Sequence, residues 1–152
     1  MAVRSKNNRR SRRGTLSREN KVWLIGAGAA IILGSLLPWV SAGIISLSGT
    51  EGDGVFTLIM GGVIAIVGFV GKSSKSVAVA VVTMAIVSGL IVFNVMTNLA
   101  DVDPTEFLAP RPGGGLWIAG AGALAAFGAG VKTWNEASVQ AATRDATHGL
   151  DQ

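Results

Sequence analysis

Residues 76–96 read SVAVAVVTMAIVSGLIVFNVM, a stretch of 21 residues without Asp, Glu, Lys, Arg or His. A helix rises about 1.5 Å per residue and the hydrocarbon core of a bilayer is about 30 Å thick, so a run of this length can cross it. Three further runs are equally free of charge, at residues 22–40, 55–71 and 116–131. The pattern predicts an all-α fold, an integral membrane four-helix transmembrane bundle.

The composition separates these runs from charged flanks. Hydrophobic residues make up 49% of the 152 residues and charged residues 14%. A soluble helix normally carries a polar face, which these runs lack, so a soluble protein is the weaker alternative. We therefore expect a disordered basic cytoplasmic tail at 1–21 and a four-helix transmembrane domain at 22–131. A cytoplasmic C-terminal tail, helical at its start, would follow at 132–152.

The basic residues predict the orientation of the spans. Twelve of the thirteen Lys and Arg residues lie in the first tail, the 71–75 turn and the last tail, whereas the segments 41–54 and 97–115 are acidic. Because flanks rich in Lys and Arg stay in the cytoplasm, this pattern predicts a multi-pass protein of the cytoplasmic (inner) membrane. Both termini would be cytoplasmic (N-in/C-in), and two short loops would face outward.

Tryptophans bracket the first and fourth runs. Indole rings favour the headgroup region, where the ring is half buried and its N–H is solvated. The members of the two pairs are 16 and 17 residues apart, which is about 24–26 Å of helix. We therefore expect four interface anchors: Trp23, Trp39, Trp117 and Trp134.

Small residues recur every four positions in the same two runs. Helices in lipid associate through close backbone contact, for which such stripes are a common device, although membrane helices are also Gly-rich in general. We expect six residues to pack helices together, within one chain, in self-association or with other membrane proteins. They are Gly26, Ala30, Gly34, Gly122, Ala126 and Gly130.

The basic tail is too polar to bury a core of its own. Basic residues beside a cytoplasmic helix end attract anionic headgroups by about 1 kcal/mol each, so membrane lipids are the expected partner. No specific nucleic acid is expected, because no base-reading residue accompanies the arginines. The residues expected to contact anionic lipid are Arg9, Arg10, Arg12, Arg13, Arg18 and Lys21.

The start of the chain allows a second interpretation. Residues 11–16, SRRGTL, resemble a twin-arginine export signal, and small residues near position 42 suit signal peptidase. The first run is longer than a usual signal core and three more runs follow, which favours retention of the first helix.

The residues offer no constellation for catalysis. The chain has no Cys and a single His, His148, in its last tail, so thiolate chemistry and Cys-ligated metal sites are excluded. The acidic pair Glu51 and Asp53 lacks the later ligands of a calcium loop and is interpreted as solvated loop charge. We expect no enzyme activity, no cofactor and no metal.

Residues 36–62, LLPWVSAGIISLSGTEGDGVFTLIMGG, carry a Leu-Pro-Trp motif and a Gly-Asp-Gly-x-x-Thr-Leu motif around the first outer loop. In these motifs the chain resembles uncharacterised small four-helix membrane proteins of actinobacteria and their phages. The resemblance implies a membrane protein of the four-helix class and carries no activity. Within the loop, Ile45 and Leu47 alternate before a Gly-rich turn, which predicts half of a small β-hairpin.

Three functions follow as hypotheses. The first is a non-enzymatic accessory or scaffold subunit that acts through helix faces and outer loops. The second is a phage- or prophage-encoded superinfection-exclusion or defence membrane protein. The third is an oligomeric passive pore built from backbone and hydroxyl groups, because the runs contain no ionisable residue of the kind that marks ion pathways.

Overall fold

The structure is a computed structural model that describes residues 15–42, 44–101 and 109–149, with side chains described as far as residue 143. Four helices dominate it: α1 (Arg18–Leu36), α2 (Gly54–Val70), α3 (Lys75–Ala100) and α4 (Gly114–Gly149). Three short strands, β1 (Pro38–Ala42), β2 (Ile45–Ser48) and β3 (Arg111–Pro112), and a 3₁₀ turn at Gly49–Glu51 complete the elements.

The prediction of a purely α-helical fold is wrong at the loops. The strands form one antiparallel sheet in the order β2–β1–β3, with Val40 opposite Leu47 and Ser41 opposite Arg111. Pro38 explains why the chain leaves the helix here, because proline has no N–H for the helical ladder and disfavours helical geometry in the residue before it. The expected half-hairpin at Ile45 and Leu47 is part of this sheet.

The boundaries of the first and last helices differ from those predicted at 22–40 and 116–131. Helix α1 begins at Arg18, where the Ser17 hydroxyl accepts a hydrogen bond from the Asn20 amide at 3.3 Å, and it ends at Leu36. Helix α4 continues through the predicted tail as far as Gly149, so that segment is helical far beyond its start. Helix α2 matches the run predicted at 55–71 to within one residue at each end, and α3 covers the run predicted at 76–96 and extends to Ala100.

Helix α1 is central to the packing, because it contacts both α2 and α4, while α3 packs mainly on α4. The main core contains Leu24 and Ile31 from α1, Ile64 from α2 and Ala126 from α4. Small residues allow the backbones to approach closely. A Cβ atom at Gly28 would lie 2.6 Å from the Gly61 carbonyl oxygen, which is closer than real Cβ contacts come.

The helices alternate in direction, so the molecule has two distinct ends. The polar end consists of residues 15–21, 71–75 and 132–137, where the Leu16 amide donates to the Gly71 carbonyl at 2.8 Å. The sheet end consists of residues 37–54, 97–101 and 109–116, where the Gly113 amide donates to the Trp39 carbonyl at 2.7 Å.

Two helical segments are long and apolar enough to cross a membrane, Lys75–Ala100 and Gly114–Thr143. Helix α2 is apolar but has only 17 residues. Length and composition alone make this weak support for membrane association, because the core helices of soluble proteins pass the same test.

Candidate functional site: two lateral grooves and the polar end

Large apolar side chains are exposed along all four helices. Phe69 on α2 is 82% exposed and Leu124 on α4 is 77% exposed, and Leu33 on α1 and Leu90 on α3 are also exposed. Monomeric soluble proteins rarely expose contiguous apolar surface on this scale, and such surface usually marks contact with a membrane or another protein.

The described charges gather at the two ends of the molecule. The polar end and the turns beside it carry five basic residues and two acidic ones: Arg18, Lys21, Lys72, Lys75 and Lys132, against Glu19 and Glu136. The sheet end carries three acidic residues and one basic one: Glu51, Asp53 and Asp101, against Arg111. The molecule is therefore basic at one end and acidic at the other, with uncharged helix between them.

A buried hydrogen bond joins α1 to α4 at the polar end. The side-chain nitrogen of Asn20 (Nδ2) donates to the Thr133 hydroxyl at 2.8 Å, and that hydroxyl donates to the Ala129 carbonyl at 2.9 Å. Asn20 is 0% exposed, yet its Oδ1 atom has no partner. A buried carbonyl oxygen without a donor is unusual in proteins.

Exposed polar contacts surround this buried pair. The Ser17 hydroxyl donates to Glu136 at 2.7 Å, and Lys132 forms an ion pair with Glu19 at 2.9 Å. Ion pairs this exposed contribute about 0–1 kcal/mol. They join the start of α1 to α4 at the polar end.

The larger lateral groove lies between α3 and α4 and has a volume of about 590 Å³. Gly89 and Gly120 are among its small lining residues, and Phe93, Leu124 and Phe127 are among its large ones. A Cβ atom at Gly89 would meet nothing within 4 Å. This glycine therefore maintains open space and does not serve contact between helices of the same chain.

A second groove, of about 480 Å³, lies between α1 and α4, with Gly26 and Ala30 on one side and Ala121 on the other. It adjoins a pocket of about 250 Å³ at the polar end that is lined by Asn20, Lys132 and four other residues. Trp23 and Ala125 line both spaces, so the groove and the pocket adjoin each other.

The sheet end is held by buried polar contacts. The Ser35 and Thr57 hydroxyls are 2.7 Å apart and join α1 to α2. Beyond them the hairpin of β1 and β2 leaves Ile44, Ile45 and Leu47 exposed. This apolar tip has no covering partner among the described residues.

The six predicted packing residues do not act alike. Gly34 and Gly122 lie where α1 meets α4, Ala126 is in the core, and Gly130 faces Val82 on α3. Ala30 is half-buried and lines the α1–α4 groove. A Cβ atom at Gly26 would meet nothing within 4 Å, so Gly26 does not pack against another helix of this chain. Packing of Gly26 against another copy or another membrane protein stays a prediction.

The four tryptophans also divide. Trp23, Trp117 and Trp134 are exposed, and Trp134 lies under the Lys75 ammonium, 5.9 Å from the ring centre. Trp39 is only 4% exposed and its indole N–H donates to the Gly34 carbonyl at 2.8 Å. The expectation of a solvated indole is therefore wrong for Trp39, because its ring packs in a buried cluster with residues of α3 and α4.

The predicted lipid-contact residues are only partly described. Arg9, Arg10, Arg12 and Arg13 lie outside the described residues. Arg18 is exposed on the first turn of α1, and the Lys21 side chain lies over Gly71. Both belong to the polar end, but neither lines the pocket that contains Lys132.

Sequence reasoning missed the Asn20–Thr133 pair and both grooves. The only signal for the pair was a polar residue near the same end of two uncharged runs. No group of three or more potential ligand side chains for a metal occurs within the described ranges. Comparisons with protein-family models, curated proteins and solved structures find no match to this chain.

Proposed function

We propose that this chain is a non-enzymatic multi-pass membrane protein that acts as an accessory or scaffold subunit. The observation that carries the proposal is the apolar surface exposed along all four helices, between two ends that hold the charges. Water would solvate that surface poorly, whereas acyl chains or other membrane helices would cover it. The basic polar end would then face the cytoplasm.

The helix lengths are compatible with four spans. Helices α1 and α2 contain 19 and 17 residues, which is about 28 and 26 Å at 1.5 Å per residue and close to the hydrocarbon thickness. Helix α4 would continue past the membrane into the cytoplasm, where Lys132 and Glu136 begin its charged portion. Both termini would then lie on the cytoplasmic side.

The scaffold role draws on two surfaces. The α3–α4 groove offers small residues beside large aromatic ones, a shape suited to close contact with a helix of another membrane protein. The exposed hairpin tip at Ile44 and Ile45 offers an apolar contact outside the membrane. No specific feature of the described residues favours the pore or the phage-exclusion hypothesis.

A pull-down from mild detergent tests the proposal. Wild-type chain is compared with Gly89→Leu, which fills the groove where a Cβ would meet nothing, and with Gly62→Leu, which adds the same side chain to open space on α2. We expect membrane proteins to co-purify with wild type and with Gly62→Leu, and to be lost from Gly89→Leu. Recovery of the chain from the aqueous fraction would contradict the proposal. Co-purification of the same membrane proteins with wild type and with both variants would also contradict it.

A further inference from the structure

Helix α3 has an outer face that no described element covers. In its apolar 18-residue window only 28% is buried, against 44% in the window of α4. Six of its exposed residues repeat at steps of four, three, four, three and four along one side, and we call this stripe the α3 seam. Its members are Val79, Thr83, Ile86, Leu90, Phe93 and Thr97. Pairs of helices that wind around each other with a left-handed twist meet along stripes of this spacing.

One polar residue distinguishes the α3 seam from the other exposed faces. The exposed stripe of any helix follows a similar spacing, so the spacing alone does not identify an interface. Within residues 22–36, 55–70, 77–93 and 117–131, Thr83 is the only exposed residue that carries a hydroxyl, carboxamide or charged group. It lies about 12 Å from the start of α3, which is well inside a hydrocarbon layer about 30 Å thick.

The Thr83 hydroxyl has no partner in the part of the chain that the structure describes. The other helical threonines with described side chains each donate to a carbonyl of their own helix at 2.8–2.9 Å. They are Thr57, Thr97, Thr133 and Thr143. Because lipid offers no water to replace a missing hydrogen bond, an unpaired hydroxyl inside it is costly. A partner outside the chain would remove that cost.

A second copy of the chain supplies such a partner at the right depth. Copies inserted in one membrane share one orientation, so a two-fold axis along the membrane normal places identical residues of two α3 helices at the same depth. A threonine hydroxyl both donates and accepts, so two Thr83 side chains can bond to each other. An unrelated membrane protein would have to carry a polar side chain at this same depth.

We propose that the chain forms a symmetric dimer in which two parallel α3 helices pack along the α3 seam, with the two Thr83 hydroxyls hydrogen-bonded between them. The proposal rests on the proposed function, because the helices share one orientation and lose water only in a bilayer. The four large seam residues are 47–65% exposed: Val79, Ile86, Leu90 and Phe93. Together they allow burial of about 1,000 Å² in total, the lower size of a specific interface.

Disulfide formation in isolated membranes tests the contact directly. The chain has no Cys, so each variant carries a single thiol: Ile86→Cys and Leu90→Cys on the seam, and Ala80→Cys as the control, which is exposed on α3 but off the seam. A disulfide needs Cα atoms within about 7 Å, a distance that identical residues reach only near the two-fold axis. We expect oxidation to give covalent dimers of both seam variants and not of Ala80→Cys. Equal yields from all three, or no dimer from either seam variant, would overturn the proposal.

Energy transfer between labelled copies in lipid vesicles measures the strength of the dimer. Thr83→Val keeps the shape of the side chain and removes the hydroxyl, so it should weaken dimerisation by about threefold, the usual effect of a hydrogen bond between membrane helices. Thr83→Ser keeps the hydroxyl and should stay closer to wild type than Thr83→Val. Dimerisation of Thr83→Val as tight as that of wild type would overturn the hydrogen bond.

A matched pair of leucines tests the apolar part of the seam. Leu90→Ala should weaken the dimer by about fivefold or more, because both copies lose a side chain at the centre of the interface. Leu33→Ala on α1 is the control, since Leu33 is 59% exposed and Leu90 is 61% exposed. It should dimerise as wild type. Equal weakening by the two variants would overturn the location of the interface.

Failure of this proposal can be distinguished from failure of the proposed function. Thr83 and Leu90 do not line the α3–α4 groove, so their variants leave the proposed partner surface unchanged. A chain that stays in the membrane and retains its partners but forms no disulfide on the seam refutes the dimer alone. A chain recovered as a folded monomer from the aqueous fraction refutes both.

Discussion

Gly34 and Gly26 lie on the same helix, and alanine at each should have opposite effects on stability. At Gly34 an added Cβ would meet the Ala119 backbone nitrogen and lie 2.8 Å from both the Ala119 Cα and the Gly115 carbonyl oxygen. These are backbone atoms of α4, so no side-chain rotation can relieve the contact. At Gly26 the same Cβ would meet nothing within 4 Å.

The two variants share one effect and differ in another. Gly→Ala within a helix is worth about 1 kcal/mol in propensity, so Gly26→Ala should raise the free energy of unfolding by up to that amount. Overpacking a close interface costs about 1–3 kcal/mol, and the rigid backbone places Gly34 at the upper end. After the propensity gain, Gly34→Ala should lose about 2 kcal/mol.

The measurable quantity is the difference between the variants, about 3 kcal/mol, because the propensity gain is common to both. Reversible unfolding in mixed micelles, followed by helical circular dichroism against denaturing detergent, gives both free energies. Wild-type chain measured in parallel fixes the sign of each change. If the two variants unfold within about 0.5 kcal/mol of each other, α1 and α4 do not meet at Gly34 as described.

Three further variants test other contacts by the same unfolding measurement. Trp39→Phe removes the donor to the buried Gly34 carbonyl and should cost about 2 kcal/mol; unchanged stability would mean that the indole is solvated after all. Thr133→Val leaves the Asn20 side-chain amide without its acceptor and should cost about 1–3 kcal/mol of stability. The Asn20→Leu/Thr133→Val double variant should lose less than the sum of the two single variants. Losses that add would mean that Asn20 and Thr133 do not form this hydrogen bond. Gly71→Ala places a side chain at φ 66° and should cost about 1–2 kcal/mol; a gain in stability would argue against the left-handed cap.

The sequence predicts the helices well where the signal is local. The uncharged runs locate α2 and the start of α3 to within one residue, because charged or Gly-rich turns bound them there, whereas α3 extends four residues past its predicted end. It fails for α4, whose apolar run stops near residue 131 although the helix continues to Gly149. Loss of apolar character marks the end of a span and does not mark the end of a helix.

The candidate site depends on long-range geometry that local patterns do not contain. A small residue can close an interface, as Gly34 does, or hold a groove open, as Gly26 does, and the same four-residue spacing describes both. The burial of Trp39 likewise depends on Val92 of α3 and on Leu116 and Ala119 of α4, which belong to the same buried cluster. These contacts join residues far apart in sequence, so only the folded arrangement separates the two roles.

The central claim is that a bilayer surrounds the four helices, with the polar end inside. The chain has no Cys, so single cysteines at Ser46 in the sheet end and at Lys72 in the polar end report accessibility without interference. In intact cells a membrane-impermeant thiol reagent should label Ser46→Cys, and it should label Lys72→Cys only after permeabilisation. Labelling of Lys72→Cys in intact cells would contradict the account. So would recovery of the chain in the aqueous fraction with Lys72→Cys and Ser46→Cys labelled equally.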